Sequence, residues 1–200
     1  MPGVRSMTVF TLPGIPEVQA GDDLAALIAD ALEAAGETLE PGDIIVAAQK
    51  IVSKAEGRYI ELADMTPGDE ALEWAAKTEK DPRLVQAILD ETEKVLRWRP
   101  NLLVVEHKRG WVMANAGADQ SNIEGAEGER VLMLPLDPDA SAAGIRSGLE
   151  ARYGGPVGVI IADSVGRAWR TGTVGLALGA SGVRVMADIR GELDRQGREL

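Results

Sequence analysis

The 200-residue chain contains no cysteine. That removes disulfides, thiolate metal ligands and cysteine nucleophiles, and it fits a reducing cytoplasm. Histidine occurs once, as His107 in the polar stretch His107-Lys108-Arg109-Gly110, where a surface turn is expected and a general-base role is disfavoured. Basic residues are few: 21 Lys and Arg against 32 Asp and Glu give a formal net charge of -11. So acidic a chain lacks the footprint needed for nucleic acid or an anionic membrane, and any polyanionic ligand requires local cations or a metal. No apolar run approaches membrane-spanning length, and Met1 to Ser6 lacks the apolar core of a signal peptide, so a soluble, cytoplasmic protein is expected. Internal repeats, low-complexity tracts and linkers are absent, as is the spacing of a P-loop or dinucleotide fingerprint.

What is present is a 45% hydrophobic composition, ample for one large domain or two small interlocked lobes. The central stretch is Val157 to Ser164. A β-branched run between Gly155-Pro156 and Gly166 reads as a buried strand. Its Asp163-Ser164 pair falls where the chain leaves the sheet, the place where α/β sheets hold their ligands. Arg167 and Arg170 follow closely, so a carboxylate, a hydroxyl and two guanidiniums stand together, a set suited to a hard cation and the phosphates it bridges.

Along the chain, Thr8 to Leu12 alternates like a short strand, and Pro13-Gly14-Ile15-Pro16 reads as a turn whose amides either approach a nucleotide or simply turn the chain. Asp22 is expected to cap a helix carrying Leu24, Leu27, Ile28, Ala31 and Leu32 on one face. A strand over Asp43 to Ala48 runs into Gln49 to Gly57, with Lys50 and Lys54 near its exit as phosphate ligands or as solvated edge residues. Thr66-Pro67-Gly68-Asp69 and Asp81-Pro82 are helix-start signals, and the second of these helices takes an apolar stripe from Leu84 through Val95 and Leu96. Leu102 to Val105 and Trp111 to Met113 read as a hairpin.

Asn115 to Asn122 then gathers oxygen-bearing side chains around Gly117, either as a ligand loop or as an ordinary Asx-rich cap. A strand at Val131 to Leu134, a helix from Ser141 to Arg152 and the Val157 strand suggest a parallel crossover. Gly172 to Gly182 is glycine-dense and could wrap an anion, and Val183 to Ala187 reads as a last strand. Trp74, Trp98 and Trp111 read as packing residues, whereas Trp169 lies between two arginines beside the candidate metal site. Asp119 and Asp163-Ser164 together would offer two carboxylates and a hydroxyl from two loops, suited to magnesium or manganese on a polyphosphate. Lys54, Arg167 and Arg170 could clamp its oxygens.

Five segments in order, Leu12 to Ile15, Ile51 to Gly57, Asn115 to Asn122, Ala162 to Arg167 and Gly197 to Leu200, resemble those of the coenzyme F420-0:L-glutamate ligases, or gamma-glutamyl ligases. The resemblance runs from near Val9 to the last residue. It implies a mixed α+β fold with mixed sheets and an intertwined homodimer. It also implies a GTP-dependent ligase that joins L-glutamate to the lactyl phosphate tail of a deazaflavin coenzyme through an acyl phosphate, releasing GDP and phosphate. By position, Leu12, Pro13, Gly14, Ile15, Gln49, Lys54 and Asn122 would contact GTP, while Asp119, Asp163 and Ser164 would bind divalent metal, magnesium or manganese, with a monovalent cation in addition. Gln49 stands where some members carry a small hydroxyl residue, and Ser164 where threonine is common. Members continue past the position of Leu200 into a glycine-rich loop near the phosphates, so residues 1–200 are expected to form the ligase domain without that segment. Two other readings remain: ligation of glutamate to another acceptor such as a folate-like acid, and a non-catalytic nucleotide-binding fragment of this fold.

Overall fold

In the computed structural model, residues 6–121, 129–166 and 171–200 are described. Helices and three separate sheets alternate along the chain, giving the expected α+β class. The first sheet has the order β1 (Ile44–Ala48), β7 (Gly158–Gly166), β8 (Thr173–Ser181). β1 lies parallel to β7, with Ala48 opposite Ala162, and β8 returns antiparallel. A small sheet pairs β2 (Tyr59–Glu61) with β6 (Arg130–Leu132), and a third, antiparallel, joins β3 (Thr92–Arg99), β4 (Leu102–His107) and β5 (Val112–Ala114).

Strand alternation sorts the first sheet into an inner and an outer face. Ala47, Val159 and Ile161 are buried on the inner face against α1 (Leu24–Ala35), α2 (Gln49–Ala55) and α5 (Pro138–Tyr153). On the outer face Ile44 and Val46 remain exposed. Asp23 starts α1: its Oδ1 accepts the Ala25 and Ala26 amides at 3.0 and 3.1 Å. Asp22, the expected cap, instead accepts the Gln19 amide at 2.8 Å one turn earlier. Helix α5 lies close to α1 because Gly148 has no Cβ to meet Ala25.

A second core forms where α3 (Asp69–Thr78) and α4 (Pro82–Asp90) cover the inner face of β3–β4–β5, burying Val85, Ile88, Leu103 and Val105 completely. α3 starts at Asp69, later than the Thr66-Pro67 signal suggests. α4 stops at Asp90, so Val95 and Leu96 belong to β3 and not to its stripe. Their apolar character is common to both periods, and pairing with β4 decides between them. Met113, Leu134, Val165 and Leu178 form a third cluster where β5 approaches β7.

Several other expectations change. Thr8 to Leu12 and Val183 to Ala187 pair with no strand among the described residues. The glycine-dense Gly172 to Gly182 is mostly strand β8, laddered with β7 and with its Ala180 amide donated to the Asp139 carboxylate at 2.8 Å, and is not a loop wrapped for an anion. Because β6 and β7 occupy different sheets, the predicted parallel crossover does not form; the parallel partner of β7 is the distant β1. Trp98 is 49% exposed, not a packing residue, whereas Trp74 and Trp111 do pack against the cores.

His107 is 3% exposed and is not in a surface turn. It ends β4 with its ring 5.1 Å from that of Trp111. Its Nδ1 accepts the Arg109 amide at 3.0 Å, and its Nε2 lies 3.6 Å from Glu91. Burial lowers its pKa from 6.5, outweighing the attraction of Glu91, with the Arg109, Arg58 and Lys108 charges adding to the decrease. The folded state therefore binds fewer protons than the unfolded chain just below that value, so stability falls as pH drops through 6.5 toward the folded pKa. Urea midpoints measured from pH 7.5 down to about 5.5 should decrease in the native protein and decrease less in His107→Leu; parallel slopes would show that His107 carries no such linkage.

Candidate functional site

β1 lies parallel to β7 and ends at Ala48 opposite Ala162, whereas β7 runs on to Gly166 beside β8, so Asp163-Ser164 lies within the strand and not, as expected, where the chain leaves the sheet. A parallel pair commonly leaves a crevice where one of its chains departs. β1 departs directly into α2, so Gln49 and Lys50 stand at the crevice. β7 contributes Asp163 one residue beyond the Ala48–Ala162 register point.

Asp163 occupies the inner-face phase of β7, between Ile161 and Val165, both buried. A carboxylate in an apolar row is desolvated. Burial raises the Asp163 pKa, the Ser164 amide opposes this, the nearby Asp119 charge raises it further and Lys50 lowers it. Two carboxylates far apart in sequence are thereby placed within electrostatic reach of one another and of one ammonium.

Asp119 follows the short 3-10 turn Asn115–Gly117 that leaves β5. Asn115 and Ala116 adopt the left-handed conformation, at φ 50° and 53°. Gly117 follows at φ 73°, where an added Cβ would meet the Leu134 side chain at 2.6 Å. This tight passage brings Asp119 into a backbone bridge with Leu132, 3.0 and 2.8 Å in the two directions. Its side chain then accepts the Lys50 ammonium at 2.6 Å and the Ser121 amide at 2.7 Å. Lys50 donates in addition to the Ser121 hydroxyl at 3.0 Å. Burial raises the Asp119 pKa, but the bonds from Lys50 and Ser121 outweigh it and hold the group below its ordinary value.

The remaining expected residues divide. Leu12 and Ile15 pack on the first core while Pro13 and Gly14 between them are exposed, Gly14 at φ 87°. This segment is tied to α2 by the Glu17–Lys54 ion pair, in which Lys54 is buried. Gln49 is buried too, its carbonyl accepting the Ser53 hydroxyl at 2.9 Å. Ser164 lies in the outer-face phase of β7 and is exposed, so alternation directs its hydroxyl away from the Asp163 carboxylate. Asn122, Arg167, Arg170 and Trp169 lie outside the described residues.

Lys50 is the residue that sequence reasoning did not select. The signal was its place directly after a strand exit, ahead of Lys54, which turns out to pair with Glu17 instead. Among the described residues no group of three or more His, Asp or Glu side chains forms a metal cage. The two coupled carboxylates nevertheless match a hard divalent cation in donor chemistry, since their mutual repulsion and desolvation are relieved by positive charge. An open cleft of about 240 Å³ lies at the other end of α2, lined by Asp22, Asp23, Val52, Glu56, Ser141 and Ile145. Its Glu56 is engaged by Ser141 and the Leu136 amide.

Residues 14–200 match the family model described as F420-0:Gamma-glutamyl ligase. The coenzyme F420:L-glutamate ligase of Methanopyrus kandleri is 46% identical over 200 residues, covering all of this chain and 76% of that protein. Its namesake from Methanothermobacter thermautotrophicus is 45% identical over 194 residues, covering 97% of this chain and 76% of the relative. The corresponding protein of Halobacterium salinarum is 45% identical over 200 residues, with 97% and 74% covered. With almost the whole chain matched at this level, the chain belongs to the F420-0:gamma-glutamyl ligase family.

Proposed function

We propose that this protein is a GTP-dependent ligase that forms an amide bond between L-glutamate and the carboxylate of the lactyl phosphate tail of a deazaflavin coenzyme, releasing GDP and phosphate. The observation that supports it most directly is the meeting of Asp119 and Asp163 around Lys50 at the end of the β1–β7 pairing. Opposed carboxylates with a neighbouring cation suit a metal-assisted phosphoryl transfer, and the names of the relatives supply the acceptor and the amino acid.

In this reading Asp119 and Asp163 hold magnesium or manganese, with the Ser164 amide rather than its hydroxyl turned toward Asp163. The metal supplies charge neutralisation to the polyphosphate. The exposed Pro13-Gly14 turn, Gln49, Lys54 and Asn122 contact GTP, and Lys50 presents positive charge beside the phosphates. Arg167 and Arg170 clamp phosphate oxygens. The acceptor carboxylate oxygen takes the terminal phosphoryl group and GDP departs. The glutamate amine then attacks the acyl carbon, phosphate leaves, and the amine gives up a proton.

Mass spectrometry of the acceptor after incubation with the protein, GTP, glutamate and manganese provides the test. A product heavier by one glutamyl unit is expected only with GTP. Turnover of a folate-like acid with no turnover of the deazaflavin would overturn the acceptor assignment, and no product with either would overturn the enzyme. A homodimer belongs to the same reading: exposed Ile44 and Val46 on the outer sheet face, together with Val9 and Phe10, provide apolar surface for a second copy. Light scattering should give twice the chain mass; the monomer mass would refute it.

A further inference from the structure

Asp119 is held through its neighbours as well as by Lys50. Its backbone bridges Leu132, which closes β6. On the other edge of that strand Leu132 faces Tyr59 of β2. Arg58, one residue before β2, continues the grip past the end of β6: its carbonyl accepts the Met133 amide at 2.9 Å, and its Nε donates to the Leu134 carbonyl at 2.8 Å. Leu134 is the floor of the Asp119 loop, since its side chain fills the space that a Cβ at Gly117 would need. It also shares an apolar cluster with Val165, which is one pleat beyond Asp163 in β7.

The Arg58 guanidinium has a second anchor. A terminal nitrogen donates to Glu91 Oε1 at 2.5 Å, and the two side chains are 24% and 25% exposed. Glu91 caps the end of α4, and its carbonyl accepts the Lys108 amide at 2.9 Å. Two acceptors on different elements suit a planar fork with fixed donor directions better than a single point charge. Arg58 is tied back to α2 by its own amide, which donates to the Ser53 carbonyl at 2.9 Å. Helix α2 carries Lys50 in its first turn. A circuit therefore closes: Lys50 holds Asp119, Asp119 holds Leu132, and the chain from Leu132 to Leu134 is held by Arg58, which returns to α2.

Resting on the metal role proposed above for Asp119, we infer that Arg58, braced by Glu91, is a positioning residue that sets where the Asp119 carboxylate stands relative to Lys50 and Asp163. It acts through the Leu132–Leu134 segment and not on the reacting groups. A working constellation must be kept within about 0.5 Å of its geometry by such supports. Loss of the guanidinium frees the Leu134 carbonyl, and the floor beneath Gly117 and the bridge at Leu132 loosen together. The competing account is a structural ion pair that fastens α4 to β6 and adds stability alone.

The test compares native protein with Arg58→Gln and with Glu91→Gln, which leaves the Leu134 bond in place and weakens only the brace. Leu32→Ala, a cavity in the first core, serves as a control for lost stability. Manganese affinity is read from the free-ion electron paramagnetic resonance signal, amide exchange at Asp119 and Leu132 by NMR without ligand, and kcat and KM from glutamyl transfer. Arg58→Gln should bind manganese about tenfold more weakly, exchange both amides faster and lower kcat about tenfold with the KM for glutamate unchanged. Glu91→Gln should move each quantity the same way by a smaller factor, and it carries the test if Arg58→Gln does not fold. Native manganese affinity and exchange in the Arg58 and Glu91 variants would overturn the positioning role, and so would an equal loss in Leu32→Ala. Arg58-dependent manganese binding by a native protein that transfers no glutamate would retain the role and refute the ligase. A native protein that binds no manganese would overturn both.

Discussion

On the proposed function, Asp163→Ala should lower glutamyl transfer by about a thousandfold and abolish manganese-dependent GTP binding, because a metal held by Asp163 would supply several kcal/mol of charge stabilisation in phosphoryl transfer. The same substitution should leave the ligand-free protein as stable as before or slightly more so. Asp163 lies in an apolar row between Ile161 and Val165 and feels the charge of Asp119, so its carboxylate is held at a cost to the fold. Stability and activity are thus expected to move independently, which distinguishes a functional carboxylate from a structural one. Ser164→Ala, one residue on but on the outer face, should change transfer by less than about threefold. Isothermal titration of GTP with manganese decides the matter: unchanged affinity in Asp163→Ala would remove that residue from the site. An equally severe Ser164→Ala would show that its hydroxyl reaches the metal.

Gly179→Ala should be the most destabilising single methyl in β8. A Cβ there would come within 2.3 Å of the Pro138 carbonyl carbon and 2.5 Å of its oxygen, at the first turn of α5. Backbone at a helix start cannot rotate away as a side chain can, so α5 must shift off the sheet. Overpacking of this kind costs about 3 kcal/mol. For a chain of this size that corresponds to a melting decrease of roughly 6–12 °C. Gly175 in the same strand has nothing within 4 Å of an added Cβ, so Gly175→Ala is the matched control and should melt within a degree or two of the native protein. Equal melting of the two variants would disprove the close approach of α5 to β8.

The residues that carry the site were easier to read than the sheets that assemble it. Asp163 was legible because a β-branched run ending in Asp-Ser is a local pattern, and Asp119 because oxygen-bearing side chains crowd one loop. Lys50 was not, since choosing between two lysines requires knowing that Glu17 satisfies the other. Strand partners were equally hidden. The Val157 stretch reads as a strand, but nothing within it says that its parallel neighbour is β1 rather than β6. Helix against strand failed at Val95 and Leu96, where apolar residues suit either period and the β4 ladder decides. His107 looked solvent-exposed because its neighbours are polar; it is buried because β4 alternates, and the register aligns it with Leu103 and Val105. The glycine-dense stretch looked like an anion loop, whereas it is mostly strand, and Gly179 and Gly182 in it serve close approaches to Pro138 and to Val157.

The pairing of β1 with β7 also governs how the molecule comes together. Ile44 finds Gly158 only after all of β2 to β6 and four helices have intervened. The α3–α4–β3–β4 unit between them is built largely from near neighbours in sequence and can collapse early, whereas closing the β1–β7 seam requires the ordering of a long loop. The crevice therefore depends on a long-range closure of the fold. Any ligand that holds Lys50, Asp119 and Asp163 together grips both sides of that seam, so binding there stabilises one of the protein's long-range contacts as well as serving its chemistry.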